Sequence, residues 1–168
     1  MVTFLMTGAK SPRARLSAAS SRVTDLSMKI WFHNATLEQI NERSAGCMVD
    51  HVGIRFTEIG DDFLTGEMPV DERTKQLHGL LHGGASVVLA ETLASTATNL
   101  TLDSKLSYAV GLEINANHVR SATTGTVIGV TRPLHRGRST HVWETLITQN
   151  GETVCISRMT LAIIPNKK

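Results

Sequence analysis

Along the chain the spacing of apolar positions changes period, and each change marks an element. After Trp31, the stretch Thr36-Leu37-Glu38-Gln39 has the form of a capping box. In such a box the Thr36 hydroxyl accepts an orphan N–H while Gln39 reaches back to the cap. A short helix to about Ser44 is predicted, with Leu37 and Ile40 on one face. Val49 to Ile59 reads as a strand, Gly60-Asp61-Asp62 as a turn, and Phe63 to Val70 as the partner strand. In that partner Phe63, Thr65 and Glu67 alternate against Leu64, Gly66 and Met68. A polar stretch, Asp71 to Leu81, then leads into His82-Gly83-Gly84.

From Gly84 to about Leu102 the period is helical. Ala85, Val88, Leu89, Thr92, Leu93 and Thr96 recur at three- and four-residue steps without a proline. The segment is apolar or small almost all round, which predicts a long helix enclosed by other elements. Beyond it the runs Ala109 to Val119, Thr126 to Leu134, His141 to Thr148 and Thr153 to Ile164 read as strands. Arg136-Gly137 and Asn150-Gly151 separate them, and Asn-Gly is a strong hairpin signal. One long helix followed by hairpin-linked strands predicts an α+β domain with an antiparallel sheet laid on the helix.

Composition narrows the class. The 168 residues suit one domain with a tail, and 41% hydrophobic against 19% charged is a globular profile. Seventeen Lys and Arg face fifteen Asp and Glu, a net +2, too little for a dedicated nucleic-acid binder. That excess sits in residues 1–27, where Lys10, Arg13, Arg15 and Arg22 meet only Asp25, a net +3. The segment reads as a disordered or poorly ordered extension of a domain over 28–168, although its Arg- and Ser-rich make-up is also that of an organelle transit peptide. Its apolar start, Val2 to Met6, is too short for a signal-peptide core, and no later run has the length of a membrane span. Cys47 and Cys155 lie far apart without CxxC spacing, so neither a zinc site nor a disulfide framework is expected, and a reducing cytoplasmic setting is.

Glu91 is the anomaly in this pattern. It is the one charge between Gly83 and Leu102, and a carboxylate in an apolar helix must be paired, protonated or functional. Ser95 follows one turn later on the same face. His82-Gly83-Gly84 opens that helix, where small residues admit a substrate and free N–H groups attract developing negative charge. That is the specification of an oxyanion site. Other chemistries lack their motifs: there is no HExxH, no GK[ST] after Gly79–Gly84, no GxGxxG and no GxSxG. No metal or separate cofactor is expected. His118 falls at a strand's end and by itself reads as a hydrogen-bonded structural histidine. In His135-Arg136-Gly137-Arg138-Ser139 two guanidiniums flank a glycine, a solvated hairpin tip or a phosphate clamp.

The run GLLHGGASVVLAETLAS, Gly79 to Ser95, resembles the helix motif of hotdog-fold acyl-CoA thioesterases, in the branch of 4-hydroxybenzoyl-CoA and phenylacetyl-CoA enzymes. Met68 to Gly84, Gly111 to Ala122 and Arg132 to Gly137 are most similar to the bacterial 1,4-dihydroxy-2-naphthoyl-CoA thioesterases of menaquinone synthesis. The resemblance covers about Met28 to Ile164 and implies a curved antiparallel sheet wrapped around the long helix. It implies hydrolysis of an aromatic acyl-CoA, with Glu91 as nucleophile or general base and the Gly83 N–H as oxyanion donor. Gln76 and His82 would help polarise or position the thioester, Ser95 would orient water or Glu91, and His118 would line the acyl pocket. Arg120, Arg136, Arg138 and Ser139 are the candidates for the CoA phosphates. A homodimer with interface sites, commonly paired into a tetramer, is implied as well. Two other functions fit the fold: a hotdog dehydratase or hydratase, which would resemble a His followed by Pro-Gly where this chain has His82-Gly83-Gly84, and a silent acyl-CoA-binding module.

Overall fold

A computed structural model describes residues 29–167, so the extension read over 1–27 lies outside the described residues. The elements in chain order are α1 Leu37–Arg43, α2 Met48–His51, β1 Arg55–Ile59, β2 Leu64–Pro69, α3 Gly83–Leu100, β3 Ser107–His118, β4 Thr126–Arg136, β5 Thr140–Gln149 and β6 Glu152–Pro165. The six strands form one antiparallel sheet in the order β1-β2-β4-β5-β6-β3. Helix α3 packs on β2 through β6. Five strands span about 19 Å, roughly twice a helix's width, so the sheet must curl for one helix to touch them all. This is the expected hotdog architecture.

The expected capping box is present: Thr36 Oγ1 accepts from the Gln39 N–H and Gln39 Oε1 accepts from the Thr36 N–H. Asn41 then ties α1 to β1, bonding both the N–H (2.9 Å) and the C=O (3.0 Å) of Phe56. The strand expected over Val49 to Ile59 is a correction. Its first part is the single turn α2, and β1 begins only at Arg55. Val49 and Val52 are three apart, a helical rather than an alternating step, and Gly53 at φ +75° redirects the chain before the strand.

Helix α3 starts at Gly83, one residue earlier than expected, and its buried face is Ser86, Leu89, Ala90, Leu93, Ala94, Ala97 and Thr98. Ala85, Val88, Thr92 and Thr96, expected in the same apolar set, are only half-buried. The helix is therefore covered on the sheet side and partly open on the other. Two glycines let it approach closely. Gly66 and Gly129 are register partners on β2 and β4, and a Cβ on either would come within 2.8 or 2.7 Å of a Leu93 methyl. Leu93 fills the notch they leave. At the far end Trp31 stacks on the buried Trp143, and the Phe32 N–H bonds Leu100 O at 2.8 Å, holding the chain over the end of α3. The β5–β6 hairpin turns at Asn150 and Gly151, both at positive φ, as Asn-Gly predicts.

Candidate active site

The sequence His82-Gly83-Gly84 builds an N-terminus with one free donor. His82 is the N-cap, its Nδ1 accepting the Gly84 N–H at 2.8 Å, and its carbonyl takes the Ala85 and Ser86 N–H groups. Among the described residues the Gly83 N–H has no acceptor. Gly83 also lacks a Cβ for a reason, since one would sit 2.8 Å from His118 Nε2. The His118 ring, at the end of β3, thus lies against Gly83. A hollow of about 340 Å³ gathers Gln76, Gly83, Ser86, His118 and Arg120 at this end of α3. Gln76 is placed by a turn in which Gly79 adopts φ +77°, with its Oε1 accepting the His78 N–H.

Glu91 lies two turns further along α3, half-buried, its carboxylate without a hydrogen bond or ion pair to any described residue. Burial pushes its carboxyl above the ordinary value of 4.5. The group abuts β3, where a Cβ on Gly111 would come within 2.7 Å of Glu91 Oε1. Ser95 follows one turn later and borders a cavity of about 630 Å³, which His33, Gln39, Ile40, Thr96 and Tyr108 also line. Asn99 braces this wall, donating to Ser95 O at 2.9 Å and accepting the Ala109 N–H at 3.0 Å. Gly83 and Glu91 are about 12 Å apart along the helix axis.

The remaining expected residues are dispersed. Arg120 edges the hollow and pairs with Glu152 at 3.3 Å, both exposed, a contact easily exchanged. Arg136, Arg138 and Ser139 lie at the β4–β5 turn and do not line the hollow. Arg136 donates to Ile30 O at 3.4 Å. The Ser139 carbonyl accepts the Ile163 N–H. One chain does not bring these cations to Gly83. Among the described residues no group of three His, Cys, Asp or Glu is placed to hold a metal. No helix among them is long and apolar enough to cross a membrane, and Cys47 and Cys155 are free thiols. The sequence reading missed Gly111, although a glycine inside a strand-like run is itself a sign of close approach.

Residues 78–156 match the model of the Thioesterase superfamily. The chain is 52% identical to the 1,4-dihydroxy-2-naphthoyl-CoA hydrolase of Escherichia coli K12, over 80% of this chain and 99% of that protein. It is 49% identical to the proofreading thioesterase EntH of Cronobacter sakazakii, over 80% and 98%. Among solved structures, a mutant thioesterase PA1618 from Pseudomonas aeruginosa superposes with a TM-score of 0.81 at 47% identity, over 82% of this chain and 99% of that one.

Proposed function

Because the chain belongs to the thioesterase superfamily, we propose that it hydrolyses an aromatic acyl-CoA to the free acid and CoA, with Glu91 as the reacting carboxylate. A thioesterase activity follows from the family; the aryl group and the residue roles are this proposal's content. Glu91 carries it. A half-buried carboxylate without a partner costs stability, and a binding module has no use for that cost. The Gly83 N–H, free at a helix N-terminus, would hold the carbonyl oxygen as charge develops there, with the Gln76 amide and His82 beside it. Glu91 either attacks the carbonyl carbon or takes a proton from attacking water, and Ser95 would orient that water. The tetrahedral intermediate collapses with loss of the CoA thiolate, which is then protonated. On the general-base route this gives the free acid directly; on the nucleophilic route water cleaves the acyl–Glu91 anhydride to the free acid and restores the carboxylate. No metal or further cofactor enters these steps. His118 would border the acyl group near the carbonyl. The cavity beside Ser95 lies along α3 from Glu91, with room for a ring system the size of dihydroxynaphthoyl, the acyl group named for the Escherichia coli relative. That substrate would place the chain in menaquinone synthesis, in the cytoplasm, where two free thiols are at home.

A thioester carbonyl cannot touch groups 12 Å apart, so a single chain does not complete the site. The long strand β3 is an edge of the sheet, with Tyr108, Val110 and Leu112 exposed. Pairing two copies through β3 about a two-fold axis reverses the second helix and carries its Gly83 end towards Glu91 of the first. The same pairing would bring a second copy's Arg136, Arg138 and Ser139, with Arg120, within reach of the CoA phosphates. On the outer face of the sheet the register partners Leu146 and Ile156 are exposed, a surface on which dimers could pair into a tetramer.

Release of free thiol, followed with a thiol-reactive dye over a panel of aromatic and aliphatic acyl-CoAs, tests the reading. Aromatic thioesters, dihydroxynaphthoyl-CoA first, are expected to turn over fastest, and Glu91→Ala should lower kcat by about 10²–10⁴. Acyl-CoA that binds and stays intact would sink it, as would near-parental turnover by Glu91→Ala.

A further inference from the structure

We infer that Gly111 is a positioning residue: its missing side chain is the seat of the Glu91 carboxylate, holding it against β3. The inference rests on the reading of Glu91 as the reacting group. Three observations carry it. First, Gly111 is not among the glycines with positive φ, so its backbone conformation is open to any residue and does not explain the glycine. Second, the space does explain it. A Cβ at this position would lie 2.7 Å from Glu91 Oε1 and 2.8 Å from the Met159 methyl, both closer than real Cβ contacts. Third, the pairing of β3 with β6 slips between Gly111 and Glu113, so Leu112 is an extra residue directly after the seat. A bulge bends its strand and re-aims the neighbouring side chains, and here it falls where the strand meets the carboxylate.

The seat has a chemical consequence. The Glu91 carboxylate and the Met159 methyl both come up to the place a Gly111 side chain would fill, and no described residue donates a hydrogen bond to that carboxylate. A carboxylate so placed is held by shape rather than by a partner, which leaves its lone pairs for water or the substrate. An added methyl group must displace Glu91 or Met159. Met159 is a flexible terminus, but it is buried in the core, whereas Glu91 has its open side to move into. The carboxylate is the group that gives way.

The experiment compares Gly111→Ala, Glu91→Ala, Glu91→Asp and the double variant Gly111→Ala with Glu91→Asp, all in the full chain. Gly111→Ala is expected to keep its oligomeric state and leave KM within about threefold. Its kcat should fall roughly 10- to 100-fold, the scale of an ångström-sized misplacement. Asp is one methylene shorter and withdraws the carboxylate from the seat. Glu91→Asp should therefore cost less in the Gly111→Ala background than in the parent, a non-additivity that mere loss of stability does not produce. Met159→Ala, carried in parallel, frees the other flank; if Gly111→Ala alone folds poorly, the pair is compared in that background. Parental kcat in Gly111→Ala, or losses that multiply in the double variant, would overturn the role of Gly111. Activity retained by Glu91→Ala would instead overturn the functional reading on which it rests.

Discussion

At the scale of single residues, the proposed chemistry turns on one proton. Burial raises the Glu91 pKa above 4.5, so the acidic limb of kcat should have its midpoint above that value. The same shift bears on stability with a definite sign. The folded chain holds this proton more tightly than the unfolded one, so ionisation opposes folding. The penalty is absent below the unfolded pKa, grows as pH rises through the folded pKa, and is full above it. Glu91→Gln should therefore melt higher than the parent at about pH 8 and match it at about pH 4, while losing turnover at both. A thermal-shift series over pH checks the sign, and a variant less stable than the parent at pH 8 would mean that Glu91 has a partner when folded. Glu91 was legible in the sequence because it is the one charge in a long apolar helix. Its seat was not, because Gly111 touches it only when a strand 20 residues downstream folds back.

At the scale of elements, α3 sits where it does because β2 and β4 thin the sheet beneath it. Gly66 and Gly129 meet in register, and Leu93 occupies the notch. Leu93→Ala leaves that notch empty and should cost about 2–5 kcal/mol, read from denaturant midpoints. Gly129→Ala should destabilise too, through overpacking of about 1–3 kcal/mol, and should lower activity by lifting the helix that carries Glu91. If Gly129→Ala matched the parent in midpoint, the notch would be incidental. The sequence predicted α3, the capping box and both late hairpins, since periodicity, Thr36-Gln39 and Asn150-Gly151 act locally. It misread Val49 to Ile59, where β-branched residues suggest a strand but their spacing closes a helical turn. It also misassigned part of the buried face of α3, because small residues such as Ala94 and Ala97 carry little apolar signal yet face the sheet most closely.

At the scale of the whole molecule, the distance between Gly83 and Glu91 becomes an argument about assembly. Both groups lie on α3, about 12 Å apart, so one thioester must draw them from two copies if both act on it. A composite site makes a prediction that a self-contained one does not. The Glu91→Ala variant and a Gln76→Ala, His82→Ala double variant should each be nearly inactive as homodimers. Mixed by co-expression or by unfolding and refolding together, they form heterodimers in which one site collects every substitution and the other none. With random pairing, half the dimers are mixed and half of their sites are intact, so activity should recover to about a quarter of the parent's. If the Glu91 and Gly83 ends served one thioester within a chain, the mixture would stay as inactive as its components. Recovery would also assign β3 as the seam, provided a charge at Val110, midway along that exposed edge, abolishes both dimer formation and the recovery.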